Sequence, residues 1–592
     1  MKWQIALHLE VERLERSNMK RKQEIYCADF ETTSIKQYEL EGSTRVYLWK
    51  LMGVYDDTDD MGVDIKSFID KVLTLKDNSI IYFHNLSFDG EFIIWYLLEN
   101  EWLFTDDIKE DARNKIFTSV IDETGSIYTI TIKNEVTIEF RCSYKLFPKS
   151  IKDIGEMVGI HKLNETHDYD EIKNYHSIDE LTDEEKMYIT NDVKIMVELI
   201  KYLRSINIKA ITMSTSAYKD WKKDKYLLCK NDMVKSSNEE VVEIVRKSYK
   251  GGITKVNPKY SNVEFDDAIS FDVNSLYPSV MYENTMPIGE GEIYPDIKTA
   301  WKHGKRKFIM CVMVLNAKIR SGYHAFIGSQ SGFSYARKYS YDEVITNKVL
   351  YLWYDEFKLF TLFYDAQYVV QKVVGFRQAK DVFKQYIERW YKVKENAKTD
   401  AEKSLAKLML NSLYGKFGMN EHRISKLPVG IKDDRIIYRT NDNSVVYYYK
   451  EVASYITSMA RCKLVTFMNR CDDRFLYCDT DSVYVSGHDI PDVFKDVVDE
   501  KKLGFWKYEG HYIRFKALKA KCYLKQLDNG EIKRRIAGCP KECADNINFE
   551  NFDWGLKLTN AKRCKKKVNG GIVIGYTDFT IKVEKDKNEN ED

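Results

Sequence analysis

Short apolar runs that alternate with polar residues occur throughout the chain, and several of them end on carboxylates. In residues 474–486, RFLYCDTDSVYVS, two such runs flank Asp479 and Asp481. This pattern predicts strand, turn and strand, with both carboxylates at the tip. Asp-Thr-Asp also stabilises tight turns through its side-chain oxygens, so this segment alone fits either a structural turn or part of a metal site.

Three segments of the N-terminal third place further carboxylates on strands and helices. EIYCADFETT predicts an apolar strand that ends on Asp29 and Glu31, whose spacing of two directs both side chains to one side. SIIYFHNLSFDGEF predicts a second strand, followed by Asp89 at the start of a helix. In YITND, within a helical pattern, Tyr188 and Asp192 stand four residues apart on one face. Each segment alone also fits a solvated strand end or helix face, but together their four carboxylates can converge on two divalent cations.

A comparable set of carboxylates recurs in the second half of the chain. AISFDVNSLYPSVMY predicts an apolar strand that ends on Asp272, followed by an amphipathic segment. Together with Asp479 and Asp481, Asp272 would complete a second two-metal cluster, of the kind that binds a nucleoside triphosphate. Tyr277, five residues after Asp272, could pack against the sugar and exclude a 2′-hydroxyl group. The alternative for Tyr277 is an ordinary buried aromatic side chain.

One predicted helix between these motifs carries a polar stripe. In KSLAKLMLNSLYGKFG, Lys403, Lys407, Asn411 and Tyr414 follow one another at spacings of four, four and three, which places them on one face. Such lysines are usually solvated, but a triphosphate also requires cations at fixed positions, which a helix provides. Gly415 predicts the C-terminal end of this helix.

Composition limits the class of protein. The chain has 592 residues and a mass of 69.7 kDa, which predicts roughly three to five domains. Its net charge is +1, so any surface for nucleic acid must come from segregated basic faces. Eleven scattered cysteines without paired CxxC sets, and no signal peptide, indicate reduced thiols in a cytosol. No apolar run approaches the roughly 20 residues of a membrane span.

The order of these motifs resembles that of the family B DNA polymerases over roughly residues 20 to 582. DFETT, HNLSFDG and YITND resemble the three motifs of their proofreading 3′–5′ exonuclease domain, and SLYPS, KLMLNSLYG and YCDTDS resemble polymerase motifs A, B and C. TSMAR resembles the TxxGR primer-binding motif with Ala460 in place of glycine, KCY resembles KxY, and YKGG resembles the YxGG/A motif that links the two sites. The resemblance implies an α/β (α+β) multidomain fold, with an RNase-H-like exonuclease domain followed by palm, fingers and thumb.

The resemblance also implies a role for each motif residue. The residues implied to be catalytic are Asp29, Glu31, Asp89, Tyr188 and Asp192 in the exonuclease site and Asp272, Asp479 and Asp481 in the polymerase site. The carboxylates of this set, together with Val273, are the implied metal ligands, for two Mg²⁺ ions per site with Mn²⁺ as the alternative. Lys162 is a further implied exonuclease residue. The implied nucleotide-binding residues are Ser275, Leu276, Tyr277, Lys394, Lys407, Asn411 and Tyr414. The implied DNA-binding residues are His84, Asn85, Phe88, Phe92, Tyr249, Gly251, Gly252, Thr457, Arg461, Lys521 and Tyr523.

Two insertions narrow the resemblance to the protein-primed polymerases of small linear-genome bacteriophages, of the small-podovirus type that infects Bacillus. Residues 284–382 contain strand-like pieces such as FIMCVMVL, and residues 419–450 predict a β-hairpin. The likeness implies that the first insertion contacts a terminal protein whose hydroxyl side chain primes synthesis. It implies that the second encircles the DNA and supports processivity and strand displacement. Both segments also fit surface elaborations without such a role.

We therefore expect a protein-primed, DNA-dependent DNA polymerase with 3′–5′ exonuclease activity in the cytoplasm of a bacterial host. Its expected partners are template–primer DNA, deoxynucleoside triphosphates and a terminal protein, with no membrane association and otherwise a monomer. The alternatives are a plasmid-encoded enzyme, an enzyme primed by nucleic acid, and a stand-alone 3′–5′ exonuclease with a degenerate polymerase domain. The expected boundaries are N-terminal extension 1–18, exonuclease domain 19–212, first part of the palm 213–283, first insertion 284–382, fingers 383–418, second insertion 419–450, second part of the palm 451–547, thumb 548–582 and acidic disordered tail 583–592.

Overall fold

A computed structural model describes residues 23–163, 172–224, 233–328, 341–444 and 448–582. The predicted N-terminal extension and the predicted acidic tail lie outside the described residues. Within the described ranges, no helix is both long enough and apolar enough to cross a membrane.

The N-terminal domain is built on one mixed sheet of eight strands, flanked by helices. Its strands are β1 Ile25–Thr32, β2 Val46–Gly53, β3 Asp59–Gly62, β4 Ser79–Phe83, β5 Leu103–Phe104, β6 Ile116–Ile121, β7 Ile127–Lys133 and β8 Thr137–Cys142. Its helices are α1 Ile35–Glu41, α2 Ile65–Val72, α3 Asp89–Glu99, α4 Ile151–Val158 and α5 Asp183–Ser205. The strand order is β3-β2-β1-β4-β8-β7-β6-β5, with β1, β4 and β8 parallel to one another.

The rest of the chain forms several smaller sheets and two long helical segments. In chain order its elements are α6 Met213–Trp221, α7 Glu239–Ser248, β9 Thr254–Val256, β10 Glu264–Phe265, β11 Ala268–Val273, α8 Leu276–Glu283, β12 Met286–Tyr294, α9 Ile297–Lys302, β13 Lys307–Ile319, β14 Val344–Trp353, α10 Tyr354–Phe363, β15 Tyr364–Ala379, α11 Lys384–Glu395, α12 Asp400–Phe417, β16 His422–Lys432, β17 Arg435–Ser444, α13 Lys450–Asn469, β18 Phe475–Asp479, β19 Ser482–Ser486, β20 Trp506–Tyr512, β21 Arg514–Lys519, β22 Cys522–Gln526, β23 Ile532–Ile536, α14 Lys541–Ala544, β24 Lys557–Val568 and β25 Gly571–Thr580.

The central sheet of this second half joins segments that are far apart in the sequence. Its order is β20-β11-β19-β18-β9, and every neighbouring pair is antiparallel. Asp272 at the end of β11 and Asp479 at the end of β18 are both in register with Ser482 of β19. The register therefore places carboxylates of two distant motifs on the strands that flank β19.

The first insertion forms its own sheet, in the order β12-β15-β13-β14, together with α9 and α10. An ion pair joins this insertion to helix α13, with Glu356 Oε1 of α10 at 2.9 Å from Arg461 Nε of α13. Both side chains are only 4% exposed. Because breaking a buried ion pair leaves an uncompensated charge, this contact fixes the insertion against the palm.

Two hairpins project from the second half and meet the N-terminal domain. Strands β16 and β17 form one hairpin, as the sequence predicts for the second insertion, and β24 and β25 form the other at the C-terminal end. The Tyr438 hydroxyl of β17 donates to Glu91 Oε2 of α3 at 3.1 Å, and Lys567 of β24 forms an ion pair with Glu91. Glu91, which is 2% exposed, therefore links three parts of the chain.

The end of helix α12 differs from the sequence prediction. Gly415 lies within the helix, which continues to Phe417 and is capped by Gly418, whose N–H donates to Tyr414 O. Leu413, Lys416 and Phe417 are buried on either side of Gly415. Packing of these neighbours extends the helix through a residue that is a weak helix former by itself.

Candidate active sites

The structure brings the four carboxylates of the N-terminal domain into one cluster. Asp29 lies on β1, Asp89 is the first residue of α3, and Asp192 lies in the middle of α5. Burial raises the pKa of Asp29 well above its usual range, and the charges of Asp89, Asp192 and Glu31 raise it further. Burial also raises the pKa of Asp89 to about 7. The carboxylates therefore repel one another, and a bound cation would relieve that repulsion.

Lys162 supplies a positive charge to this cluster. Its Nζ lies 2.5 Å from Asp192 Oδ2 and 4.9 Å from the centre of the Tyr188 ring. Tyr188 precedes Asp192 by one turn of α5, so the helix presents both to the same place. The structure thus joins Lys162 and Tyr188 to the four carboxylates.

Three residues expected to contact single-stranded DNA lie in the segment between β4 and α3. Asn85 is exposed and has a φ of 67°, and Phe88 is half-buried. His84 is fixed through both ring nitrogens, with Ser143 Oγ 3.0 Å from Nδ1 and Lys149 O 2.8 Å from Nε2. Burial lowers the pKa of His84 to about 4, so its ring is neutral at pH 7.

Phe92 is expected to contact the same single strand of DNA, but its side chain is buried within the protein. Its side chain is 2% exposed, and a Cβ added to Gly571 of the C-terminal hairpin would lie 2.6 Å from its ring. Phe92 therefore packs the C-terminal hairpin against α3, and its ring faces are not available for stacking. A motif specifies the residue type at this position, but burial depends on the hairpin that covers it.

The second carboxylate cluster forms at the turn between β18 and β19. Asp481 N–H donates to Asp479 O at 2.7 Å, and Val273 N–H donates to Asp481 O at 2.8 Å, which ties the turn to the end of β11. Burial raises the pKa of Asp272 to about 8, and the charge of Asp481 contributes. Burial likewise raises the pKa of Asp481 to about 6, with a contribution from Asp479. The turn is thus the local geometry that presents a second set of mutually repelling carboxylates.

Asp479 is held by a lysine, as Asp192 is in the first cluster. Lys521 Nζ lies 2.7 Å from both carboxylate oxygens of Asp479, and Thr254 Oγ1 donates to Asp479 Oδ1 at 2.8 Å. Lys521 belongs to the KCY segment, so the structure places this motif directly at the carboxylates.

A cavity of about 940 Å³ separates the second cluster from the polar stripe of α12. On one side of the cavity Lys394 Nζ donates to Ser275 Oγ at 3.0 Å. The rings of Tyr277 and Tyr414 stack with their centres 4.3 Å apart. All the residues expected to bind a nucleotide line this one cavity, together with Lys403, Val273 and two of the carboxylates: Asp272, Val273, Ser275, Leu276, Tyr277, Lys394, Lys403, Lys407, Asn411, Tyr414 and Asp481.

A second cavity, of about 500 Å³, also borders Asp272 and Asp481. It is lined by Asp272, Asp479, Asp481, Lys521 and Tyr523, and by four residues that sequence reasoning missed, which are Tyr484, Glu509, Lys525 and Arg535. Glu509 lines both cavities. It lies on β20 beside the irregular pairing between Ser270 and Phe271 of β11, and no local motif marks it.

The segment YKGG packs between the carboxylate turn and the end of α12. A Cβ added to Gly252 would lie 2.8 Å from the Thr480 side chain, and one added to Gly418 would meet the Tyr249 hydroxyl group. Gly251 is exposed, with no atom near its added Cβ. The absence of a side chain at Gly252 therefore allows the segment to approach the turn closely.

Thr457 and Arg461, expected to contact the primer, are instead buried at 2% and 4% exposure. Arg461 pairs with Glu356 and donates from Nη1 to Lys250 O at 2.6 Å and Gly251 O at 3.1 Å. In this structure Arg461 therefore supports the YKGG segment from within. The insertion residue Glu356 holds the guanidinium in the core, and the direct DNA contact expected of Thr457 and Arg461 stays a prediction.

Both clusters have the donor chemistry of a magnesium site. Carboxylate oxygens are hard ligands that Mg²⁺ prefers, and burial together with neighbouring acids raises the pKa values of Asp29 and Asp272, which a bound cation would lower. Among the residues that the structure describes, however, no three acidic, His or Cys side chains already enclose a metal position. Lys162 and Lys521 each contact one carboxylate of their cluster, so metal binding requires local side-chain rotation.

A chain with two separate acidic sites, one of which faces a lysine-bearing helix, has the organisation of a family B DNA polymerase. The family model described as DNA polymerase type B, organellar and viral, matches residues 159–500, and the chain belongs to this family.

Relatives identify the kind of family B polymerase. The DNA polymerase of Streptococcus phage Cp-1 is 30% identical over 591 residues, which cover 94% of this chain and 98% of that protein. The DNA polymerase of Bacillus phage phi29 is 29% identical over 602 residues, covering 94% and 99%. The structure of phi29 DNA polymerase with primer-template DNA and incoming nucleotides matches with a TM-score of 0.84 and 28% identity, over 95% of this chain and all of that one. These findings confirm the expected fold and a phi29-like family B DNA polymerase.

Neutralising one carboxylate of the second cluster should stabilise the metal-free protein. The pKa of Asp272 is raised, so its ionised form destabilises the fold increasingly as the pH rises from about 4 to about 8. We expect Asp272→Asn to raise the Tm in chelator by ~2–4 °C at pH 8.5, with a smaller difference at pH 5. Thermal unfolding at the two pH values measures this effect.

The matched control is Asp266→Asn, which removes an exposed carboxylate six residues earlier. We expect it to change the Tm by less than about 1 °C at either pH. A Tm for Asp272→Asn at or below that of the wild type at pH 8.5 would contradict the raised pKa of Asp272.

Proposed function

We propose that this DNA polymerase has two metal-dependent sites, one that adds nucleotides to a primer and one that removes them from its 3′ end. The main support for the polymerase site is the cavity of about 940 Å³, which is lined by carboxylates of the palm and by lysines of the fingers. A deoxynucleoside triphosphate has the charge distribution that fits this cavity. The phi29 polymerase, which was solved with primer-template DNA and incoming nucleotides, supports the same partners here.

In the polymerase site the chain itself provides binding and orientation. Lys394, Lys403 and Lys407 face the triphosphate from rigid helices, which fixes the direction in which pyrophosphate leaves. The stacked rings of Tyr277 and Tyr414 form an apolar floor, where Tyr277 would exclude a ribose 2′-hydroxyl group. Two Mg²⁺ ions, with Mn²⁺ as the alternative, would be held by the carboxylates and Val273, and would lower the pKa of the primer hydroxyl and neutralise phosphate charge.

In the exonuclease site the cluster on β1, α3 and α5 would act on the 3′-terminal phosphodiester. Tyr188 would orient the attacking water, since it lies one turn before Asp192. Lys162, between Asp192 and Tyr188, would hold both groups in place and balance their charge. Asn85 and Phe88 are accessible to a single strand, and Phe88 offers a stacking surface.

The alternative function is a stand-alone 3′–5′ exonuclease with an inactive polymerase domain. The complete lining of the triphosphate cavity opposes this alternative, because a degenerate site has no reason to retain three lysines of the fingers, an asparagine and two stacked tyrosines in contact with one space.

Single substitutions should separate the two activities. Asp479→Ala should lower primer extension by about 10³-fold or more and spare degradation, while Asp29→Ala should do the reverse, since each removes a carboxylate from one site only. The measurement is incubation of a labelled primer–template with Mg²⁺, with and without the four deoxynucleotides. Asp489→Ala, which removes a side chain that is 84% exposed, is the control and should retain both activities. Loss of both activities from either active-site change would refute the two-site proposal.

We also propose that the hairpin of β16 and β17 supports strand displacement. The contact between Tyr438 and Glu91 connects the hairpin to the N-terminal domain, so the hairpin bridges that domain and the palm. A bridge of this kind would keep a displaced strand apart from the template. Replacing residues 422–444 by a short glycine linker should preserve gap filling but lower displacement synthesis by about 10-fold or more. Tyr438→Phe, which keeps the hairpin, is the milder control and should retain most displacement. Unchanged displacement in the deletion variant would exclude this role.

Protein priming is the third part of the proposal. The first insertion, with its own four-stranded sheet packed on the palm, is the surface proposed to bind a terminal protein. An extract of host cells infected with the phage that encodes this chain, incubated with the polymerase and labelled deoxynucleotide in the absence of a DNA primer, should yield one protein labelled through a phosphoester to a hydroxyl side chain. Label that appears only on added DNA primers would favour the alternative of nucleic-acid priming.

A further inference from the structure

Helix α11 of the fingers is anchored to its surroundings by three consecutive residues, beginning with Glu388. Glu388 Oε1 accepts from the Tyr282 hydroxyl of α8 at 3.1 Å. Arg389 Nη2 and Trp390 Nε1 donate to Asp220 of α6, at 3.0 and 2.9 Å. These contacts hold one side of α11 against the palm and the linker helix α6, which leaves its next residue to face the triphosphate cavity.

Tyr391 is that next residue, and it lines the cavity. Its hydroxyl group donates to the backbone oxygen of Lys501, in the palm loop that spans residues 499–505. This loop is itself ordered, since Asp499 Oδ1 accepts from the N–H groups of Lys501 and Lys502 at 2.8 and 2.7 Å. Asn274 Nδ2 donates to Asp499 O at 2.8 Å. Tyr391 therefore joins the fingers to a loop fixed to the segment that follows the metal-ligand strand β11.

The ring of Tyr391 has a second contact, with Lys394 one turn later on the same helix. Lys394 Nζ lies 4.8 Å from the ring centre, and the same atom donates to Ser275 Oγ. Lys394 carries its charge in a place where burial and the nearby Lys407 lower its pKa. A cation over an aromatic face is stabilised by the ring, so Tyr391 helps to keep Lys394 charged and aimed at the cavity.

We propose that Tyr391 is a positioning residue for the incoming deoxynucleoside triphosphate, because its hydroxyl group ties the fingers to the palm loop and its ring holds Lys394 at the triphosphate. This inference rests on the proposed nucleotidyl transfer in the cavity. It assigns to Tyr391 a role in nucleotide binding and none in the chemical step, since the side chain acts through Lys394 and the loop.

Two substitutions separate the two contacts of Tyr391. Tyr391→Phe removes the hydrogen bond and keeps the ring, and should raise the KM for dATP by about 3- to 10-fold with kcat within about twofold. Tyr391→Ala also removes the ring, and should raise KM by about a further 2- to 5-fold. The measurement is insertion of a single dATP on a primer–template, with the Kd for dATP determined on a primer that ends in a dideoxynucleotide.

The control is Val393→Ala, on the same helix, whose side chain is 37% exposed and does not line the cavity. Its KM should stay within about twofold of the wild type. Degradation of single-stranded DNA should be unchanged in all variants, which shows that each is folded; if Tyr391→Ala fails this check, Tyr391→Phe carries the test. In a Lys394→Met background, Tyr391→Ala should have a smaller effect than it has alone, because the ring then has no cation to hold.

Two outcomes distinguish this inference from the proposed function. A wild-type protein that binds dATP but inserts none would refute nucleotidyl transfer at the cavity, while its Kd would still test Tyr391. Equal KM and Kd values for the wild type and Tyr391→Phe, or a fall in kcat alone, would refute the positioning role.

Discussion

Repulsion between buried carboxylates is the constraint on which both sites depend. Burial and, after it, the charges of neighbouring acids raise the pKa values of Asp29 on β1 and Asp272 on β11, so the surrounding fold must hold like charges together. In each cluster a lysine forms an ion pair with one carboxylate, Lys162 with Asp192 and Lys521 with Asp479. The two sites share no sheet and no sequence motif, and the recurrence of this arrangement follows from the shared requirement for concentrated negative charge.

Polar contacts between domains place these two clusters in one molecule. Glu91 lies two residues after Asp89 in the first turn of α3. It binds both Tyr438 of the β16–β17 hairpin and Lys567 of the C-terminal hairpin. Arg461 connects Glu356 of the first insertion with the segment that lies against the polymerase carboxylates. Each insertion is therefore attached close to one of the two carboxylate clusters.

The sequence predicts the elements that carry the carboxylates, because a strand or helix that ends on an acid has a clear period and a clear end. It also predicts the polar stripe of α12, since helical spacing alone places those side chains on one face. It does not predict the direction of side chains that are covered by another domain, as Phe92 and Arg461 show. Glu509 and Tyr391 carry no local signal, because their positions depend on strand pairing and on the approach of the fingers to the palm.

The two cavities suggest why the carboxylates of the palm lie where they do. Asp272, Asp481 and Glu509 line both spaces, so they form the boundary between them. Lysines of the fingers line the first cavity, which suits the proposed triphosphate, while Lys521 and Tyr523 line the second, which suits the proposed primer end. In-line displacement at phosphorus requires the attacking and leaving oxygens on opposite sides of the reacting atom. In the proposed nucleotidyl transfer, the carboxylates shared by the two cavities would hold the cations that such a displacement requires.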